Sequence, residues 1–170
     1  TQTFSYSWNG AGRTGELQSV TFPYGGAIWW SFGDHTHAGN RTVRQVYYRQ
    51  VQHLPGGSIW GYSLYFANDS SKYFHGWGQV MDWTSNAKKS WAFDNSTTTE
   101  TNGLLLNYKE MSGGNAVRTE QAYTWQINPA FRKYVNEVTS TVDPGTAYAK
   151  TSKTTQQLDI YGNVTESKVF

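Results

Sequence analysis

The sequence predicts an all-β protein built of antiparallel strands, and three observations carry that prediction. Aromatic and apolar residues alternate with polar ones over strand-length runs. Pro–Gly and Gly–Gly pairs punctuate the chain at intervals that suit strand reversals. An Asp/Asn–x–x–Gly turn recurs near both ends, which is the mark of a repeat.

Taken in order, Phe4, Tyr6 and Trp8 alternate with Thr3, Ser5 and Ser7, so the first strand shows one aromatic and one polar face. Asn9 and Gly12 then stand where a turn needs a side-chain cap and a left-handed residue. "FPYGGA" ends the next strand. Trp29 and Trp30 follow on a strand, and adjacent residues there face opposite sides. "LPGGS" and "DPG" place Pro55–Gly56 and Pro144–Gly145 in the order that a type II turn requires. Trp60, Tyr62, Leu64 and Phe66 share a face, and so do Tyr123, Trp125 and Ile127. "SGGN" marks another reversal. The segment 128–138 has a helical spacing of Phe131, Tyr134, Val135 and Val138 behind Asn128–Pro129, but its β-branched continuation "TSTV" favours a strand. Ten to twelve strands are expected, in a sheet wrap or a sandwich.

The repeated turn has a physical reason. In Leu158–Asp159–Ile160–Tyr161–Gly162–Asn163–Val164, the Asp159 carboxylate is placed to cap backbone N–H groups while Gly162 takes the positive φ. Phe93–Asp94 is a third start of the same kind, with its Gly103–Leu104 displaced by an insertion.

"GELQSVTFPYGG" and "LDIYGNVTES" resemble the two halves of the YD-repeat (RHS-like) pattern, Tyr–Asp–x–x–Gly–Arg–Leu–x–Ser–Val–Thr–x–Pro–x–Gly. "YFHGWGQV", from Tyr73 to Val80, is similar to a stretch of toxin-complex shell proteins of the same group. The good matches cover about a quarter of the chain, and residues 27–157 depart from strict repeats. The resemblance, to shell-forming proteins of the toxin-complex or teneurin type, implies a secreted or cell-surface protein. It also implies a structural segment whose partners are neighbouring repeats of the same chain or an enclosed C-terminal cargo. On this reading residues 1–170 are a single all-β domain excised from a longer repeat protein, because Val169–Phe170 stop inside a strand.

Composition limits the alternatives. The 170 residues are 16% aromatic and 15% charged, with 17 Gly, 8 Trp, 12 Tyr and no Cys, at a net charge of +2. So small a charge leaves no electrostatic footprint for nucleic acid, and no apolar run reaches membrane-spanning length. Without Cys there is neither a disulfide frame nor a thiol nucleophile. No phosphate-binding glycine loop or serine-nucleophile motif occurs, so no catalytic residue, no cofactor and no enzyme activity is expected. Two other readings have residues behind them. Trp29, Trp30, Trp60 and Trp83 are candidates for stacking on a polysaccharide, the ligand of a carbohydrate-binding β-module. In "GDHTHAGN", His35 and His37 share a face as H-x-H metal ligands do, with Asp34 opposite and with His53 and His75 as distant candidates for a third ligand. A polar loop explains that stretch as well, and no metal is expected.

Overall fold

The computed structural model describes residues 1–9, 13–128, 130 and 132–170. Its strands are β1 (Thr3–Asn9), β2 (Arg13–Thr21), β3 (Ala27–His37), β4 (Arg41–Gln52), β5 (Ile59–Phe66) and β6 (Trp77–Asp82). They continue with β7 (Lys88–Phe93), β8 (Leu105–Met111), β9 (Val117–Ile127), β10 (Lys133–Val142), β11 (Lys150–Leu158) and β12 (Val164–Val169). All twelve lie in one antiparallel sheet in sequence order. The all-β antiparallel expectation holds, and of its two forms the strands take the single sheet, open between β1 and β12. Among the described residues, no helix is long and apolar enough to cross a membrane.

The order follows from the turns. Each strand pairs with its sequence neighbour, so no crossover is needed. Most described connections are short, and the two long ones, 67–76 and 94–104, still return the chain to the adjacent position. Three turns share one closure. Phe22, Ser112 and Asp159 each donate their N–H to the carbonyl four residues on, at 2.7, 2.9 and 2.9 Å. Each also accepts, through its own carbonyl, from the N–H three residues on. The residue at that third position is left-handed in all three: Gly25 at φ 87°, Asn115 at 64° and Gly162 at 92°. This is a type I turn with a glycine-type bulge, a common three-residue hairpin loop. In "SGGN" the left-handed position falls to Asn115 rather than to either glycine, which Asn tolerates because its amide bonds locally.

The Pro–Gly turns form as the sequence predicts. Gly56 and Gly145 have φ of 71° and 78°, closed by Gly57 N–H to Leu54 O at 3.0 Å and Thr146 N–H to Asp143 O at 3.3 Å. Residues 133–142 are β10, as the "TSTV" run suggests. Asn128 caps the turn before it instead of a helix. Its Oδ1 accepts from Ala130 N–H at 3.1 Å and Arg132 N–H at 2.9 Å.

The sheet is one layer with little interior. Val20 and Ala27 are the buried apolar side chains among the described residues. The accessible surface is 10735 Å² for 19.2 kDa, against about 8,400 Å² for a compact monomer of that mass. Cross-strand rows supply much of the side-chain packing instead. One row runs Phe4, Val20, Ile28, Val51 and Trp60 across five strands.

Candidate functional site

The β3–β4 hairpin is the longest in the sheet, pairing Ala27–His37 with Arg41–Gln52. β5 covers only part of it, from Tyr48 to Gln52. The distal part of the hairpin therefore runs beyond β5, and the segment 67–76 between β5 and β6 folds onto it. Ala38 N–H donates to Lys72 O at 2.9 Å, and Arg41 Nη2 donates to Tyr73 O at 2.6 Å. Asp69 shapes the segment from within: its Oδ2 accepts from Gly76 N–H at 2.6 Å, and its carbonyl from Lys72 N–H at 2.9 Å. Gly33 lies under the Tyr47 ring, at 2.2 Å from where a Cβ would stand, so a larger residue there requires the ring to shift.

This fold-over delivers His75 to His35 and His37. The ring centroids are 4.5 Å apart for His35–His37, 4.4 Å for His35–His75 and 4.8 Å for His37–His75. One ligand nitrogen from each lies within 4.8 Å of the other two, the one such cluster among the described residues. His75 is held on its other side. Its Nδ1 donates to Ala67 O at 2.7 Å, and its ring stacks on Phe66 at 4.8 Å. The proton on Nδ1 leaves the Nε2 lone pair pointing inward, where it meets the Gln45 amide nitrogen. Burial pushes the His75 pKa below its ordinary value, against the Ala67 carbonyl, which raises it; His35 and His37 lower it further. Asp34 faces away. Its Oδ1 lies 3.4 Å from Arg44 Nη1, and Arg44 also holds Glu16 at 2.6 Å.

The polar accounting of this cluster is unusual. Among the described residues, four buried side-chain polar atoms lack a hydrogen-bond partner, and three of them are His35 Nε2, His37 Nδ1 and Gln45 Oε1. His37 is 4% exposed, so water does not serve it freely. The sequence placed His35 and His37 on one face. It could not place His75, because only the fold-over of 67–76 brings that residue near.

The four candidate stacking tryptophans separate. Trp29 is in register with Gln50 and Gly61, whereas Trp30 is in register with Arg49 and Tyr62, one residue along and so on the opposite face. Trp83 lies over Gly61, on the Trp29 side, with 2.1 Å between its ring and a Cβ position there. Its Nε1–H donates to Ser63 Oγ at 2.6 Å, and its ring meets Tyr48 edge-on at 5.9 Å. Trp60 is on the Trp30 side, 41% exposed, and its ring meets His53 edge-on at 4.5 Å. The four are thus two pairs on two faces.

The turn residues divide by what is described. Asn9 ends β1 in register with Arg13, and Gly12 lies outside the described residues. Asp159 Oδ1 accepts from Tyr161 N–H at 2.8 Å and Asn163 N–H at 2.9 Å, and Oδ2 from Asn163 Nδ2 at 2.9 Å. These bonds, the Asn163 side chain first, hold its carboxyl below the usual range. Asp94 repeats the closure across its insertion: its N–H donates to Leu104 O at 2.8 Å and its carbonyl accepts from Gly103 N–H at 2.6 Å, with Gly103 at φ 83°.

No protein-family model matches the chain, and no curated protein matches it.

Proposed function

We propose that this chain is a non-catalytic structural segment of a secreted or cell-surface shell protein of the YD-repeat type. The observation that supports this most is the single open layer of twelve strands in sequence order, with two small buried apolar side chains among the described residues. A sheet of this kind is stabilised by its own neighbours along one direction, as repeat arrays are. Its aromatic faces and edge strands then serve as surfaces for adjacent repeats or for contents enclosed by the wall. The equivalent closures at Asp94–Leu104 and Asp159–Asn163 support the repeat reading at the level of the turn.

A carbohydrate-binding β-module is the second reading, favoured by Trp60 at 41% and Trp83 at 38% exposure. Their opposite faces and the Trp83–Ser63 hydrogen bond weigh against one stacking platform. Tryptophan fluorescence under titration with a panel of soluble polysaccharides separates the two readings. The structural reading expects no saturable change. A saturable shift that disappears in Trp60→Ala would replace it with the binding module.

A further inference from the structure

We propose that His35, His37 and His75 form a three-histidine site for a divalent transition-metal ion of the zinc class, which clips the 67–76 segment onto the β3–β4 hairpin. The ligands would be His35 Nε2, His37 Nδ1 and His75 Nε2. The first two are the buried nitrogens without hydrogen-bond partners. The third is the basic nitrogen of the one ring whose tautomer is fixed, by the Nδ1–H bond to Ala67 O at 2.7 Å. A backbone carbonyl behind a ligating histidine is the usual outer-shell support of such a site, because it sets both ring orientation and tautomer.

The distances leave a short closure. One nitrogen of each ring, Nδ1 or Nε2, already lies within 4.8 Å of one from each of the other two. Ligand nitrogens would stand about 3.3 Å apart around a tetrahedral ion with metal–nitrogen bonds of about 2.0–2.1 Å. Ring rotations supply that change without altering the β3 backbone, since His35 and His37 already share a side of the strand. The Gln45 amide nitrogen, which touches His75 Nε2, gives way on binding, and the same side chain carries a buried Oε1 without a hydrogen-bond partner. Three neutral imidazoles with neither thiolate nor carboxylate in the set suit zinc, copper, nickel or cobalt and disfavour calcium and magnesium. An unpartnered buried polar atom is costly, so two of them on adjoining rings, beside a third basic nitrogen, are explained by an ion that satisfies all three. The site is structural in this reading: it joins two segments that are otherwise held by the Ala38–Lys72 and Arg41–Tyr73 hydrogen bonds.

The test uses the 170-residue chain stripped with a chelator and dialysed. Zn²⁺ alone is titrated by calorimetry, and Co²⁺ alone is followed by its visible d–d absorption. The expected result is one ion per chain, Co²⁺ bands of a low-coordinate nitrogen site, and slower hydrogen exchange across 67–76 when Zn²⁺ is bound. Removing one ligand in His75→Asn is expected to weaken binding at least tenfold, and His37→Ala to do the same. His53→Ala, which alters a histidine on Trp60, is expected to bind as the parent does. His75→Asn sits on the segment rather than in the sheet, so it remains informative if His37→Ala fails to fold. Absence of saturable Zn²⁺ and Co²⁺ binding by the parent chain overturns the proposal. So does binding that survives undiminished in His75→Asn and His37→Ala, because the ion is then elsewhere.

Discussion

Asp159 accepts three hydrogen bonds inside its own turn, and a single carboxylate thereby fixes where β11 ends and β12 begins. Its folded pKa is depressed, so its contribution to stability is present above the unfolded carboxylate value of about 3.9 and is lost as pH falls through the folded value. Asp94 behaves alike, its carboxyl lowered by Thr101 first, then Thr99 and the Ser96 N–H. Thermal melts of Asp159→Asn should therefore lie below the parent at neutral pH, with the gap narrowing as pH falls below the ordinary carboxylate range. A gap that stays constant, or widens, on acidification would remove the charge from this explanation. Asn128 holds the same pattern of backbone N–H groups with an amide, so the deficit of Asp159→Asn should be smaller than that of Asp159→Ala.

A different residue-scale constraint acts at Gly61. Trp83 occupies the space of the missing side chain and covers Ser63, which is only 3% exposed. Gly61→Ala must expel the indole and break its bond to Ser63, for a destabilisation of about 1–3 kcal/mol. Denaturant unfolding checks the size, and a red shift of Trp emission checks the cause. An unchanged midpoint would mean that the ring relocates without loss.

At the scale of elements, the strands and most of the turns were legible because both are local. Alternation over Trp60–Phe66 and the Pro–Gly order at 55–56 and 144–145 need only neighbours in sequence, and the structure follows them. The Asp94 turn was legible for the same reason, even across its insertion, since its capping acceptor and its left-handed glycine both remain. Asn128 shows where local signals mislead. A residue that caps a helix also caps a turn, and the β-branched strand that follows decides between them. The histidine cluster was half legible. The spacing of His35 and His37 is a strand property, but His75 arrives through a segment crossing that leaves no periodicity in the sequence. The separation of the four tryptophans was hidden too, because it depends on which residue of β5 stands beside which residue of β3.

The elements also couple across turns. The Asn128 side chain donates its Nδ2–H to Asp159 O at 3.0 Å, and Arg132 Nη1 to Tyr161 O at 3.3 Å. The β9–β10 and β11–β12 turns thus lie side by side. Asp159→Ala combined with Asn128→Ala should cost measurably more or less than the sum of the single changes, as contacting sites do. Strict additivity in denaturant unfolding would separate the two turns.

At the scale of the whole molecule, a sheet without a closed interior must draw its cohesion from rows of cross-strand contacts and from whatever covers its faces. Ion pairs along the sheet, such as Lys109–Glu120 at 3.0 Å and Lys153–Glu137 at 2.6 Å, are partly exposed and each contribute little. Aromatic residues on the other rows, among them Trp91 against Tyr108 with centroids at 5.5 Å, carry more. β12 is exposed along its length, Val164 and Val169 at 58% and 75%, with only the Glu166–Lys168 pair to discourage a partner strand. Such an edge pairs readily with another strand. The central claim, an open structural sheet made to be continued by neighbours, is tested most directly by hydrogen exchange at the β12 amides over a series of protein concentrations. Light scattering on the same samples reports their mass. The account predicts association as concentration rises and slowed exchange along Val164–Val169 as it does so. A chain that stays monomeric throughout, with β12 amides exchanging at one unchanging rate, would contradict it.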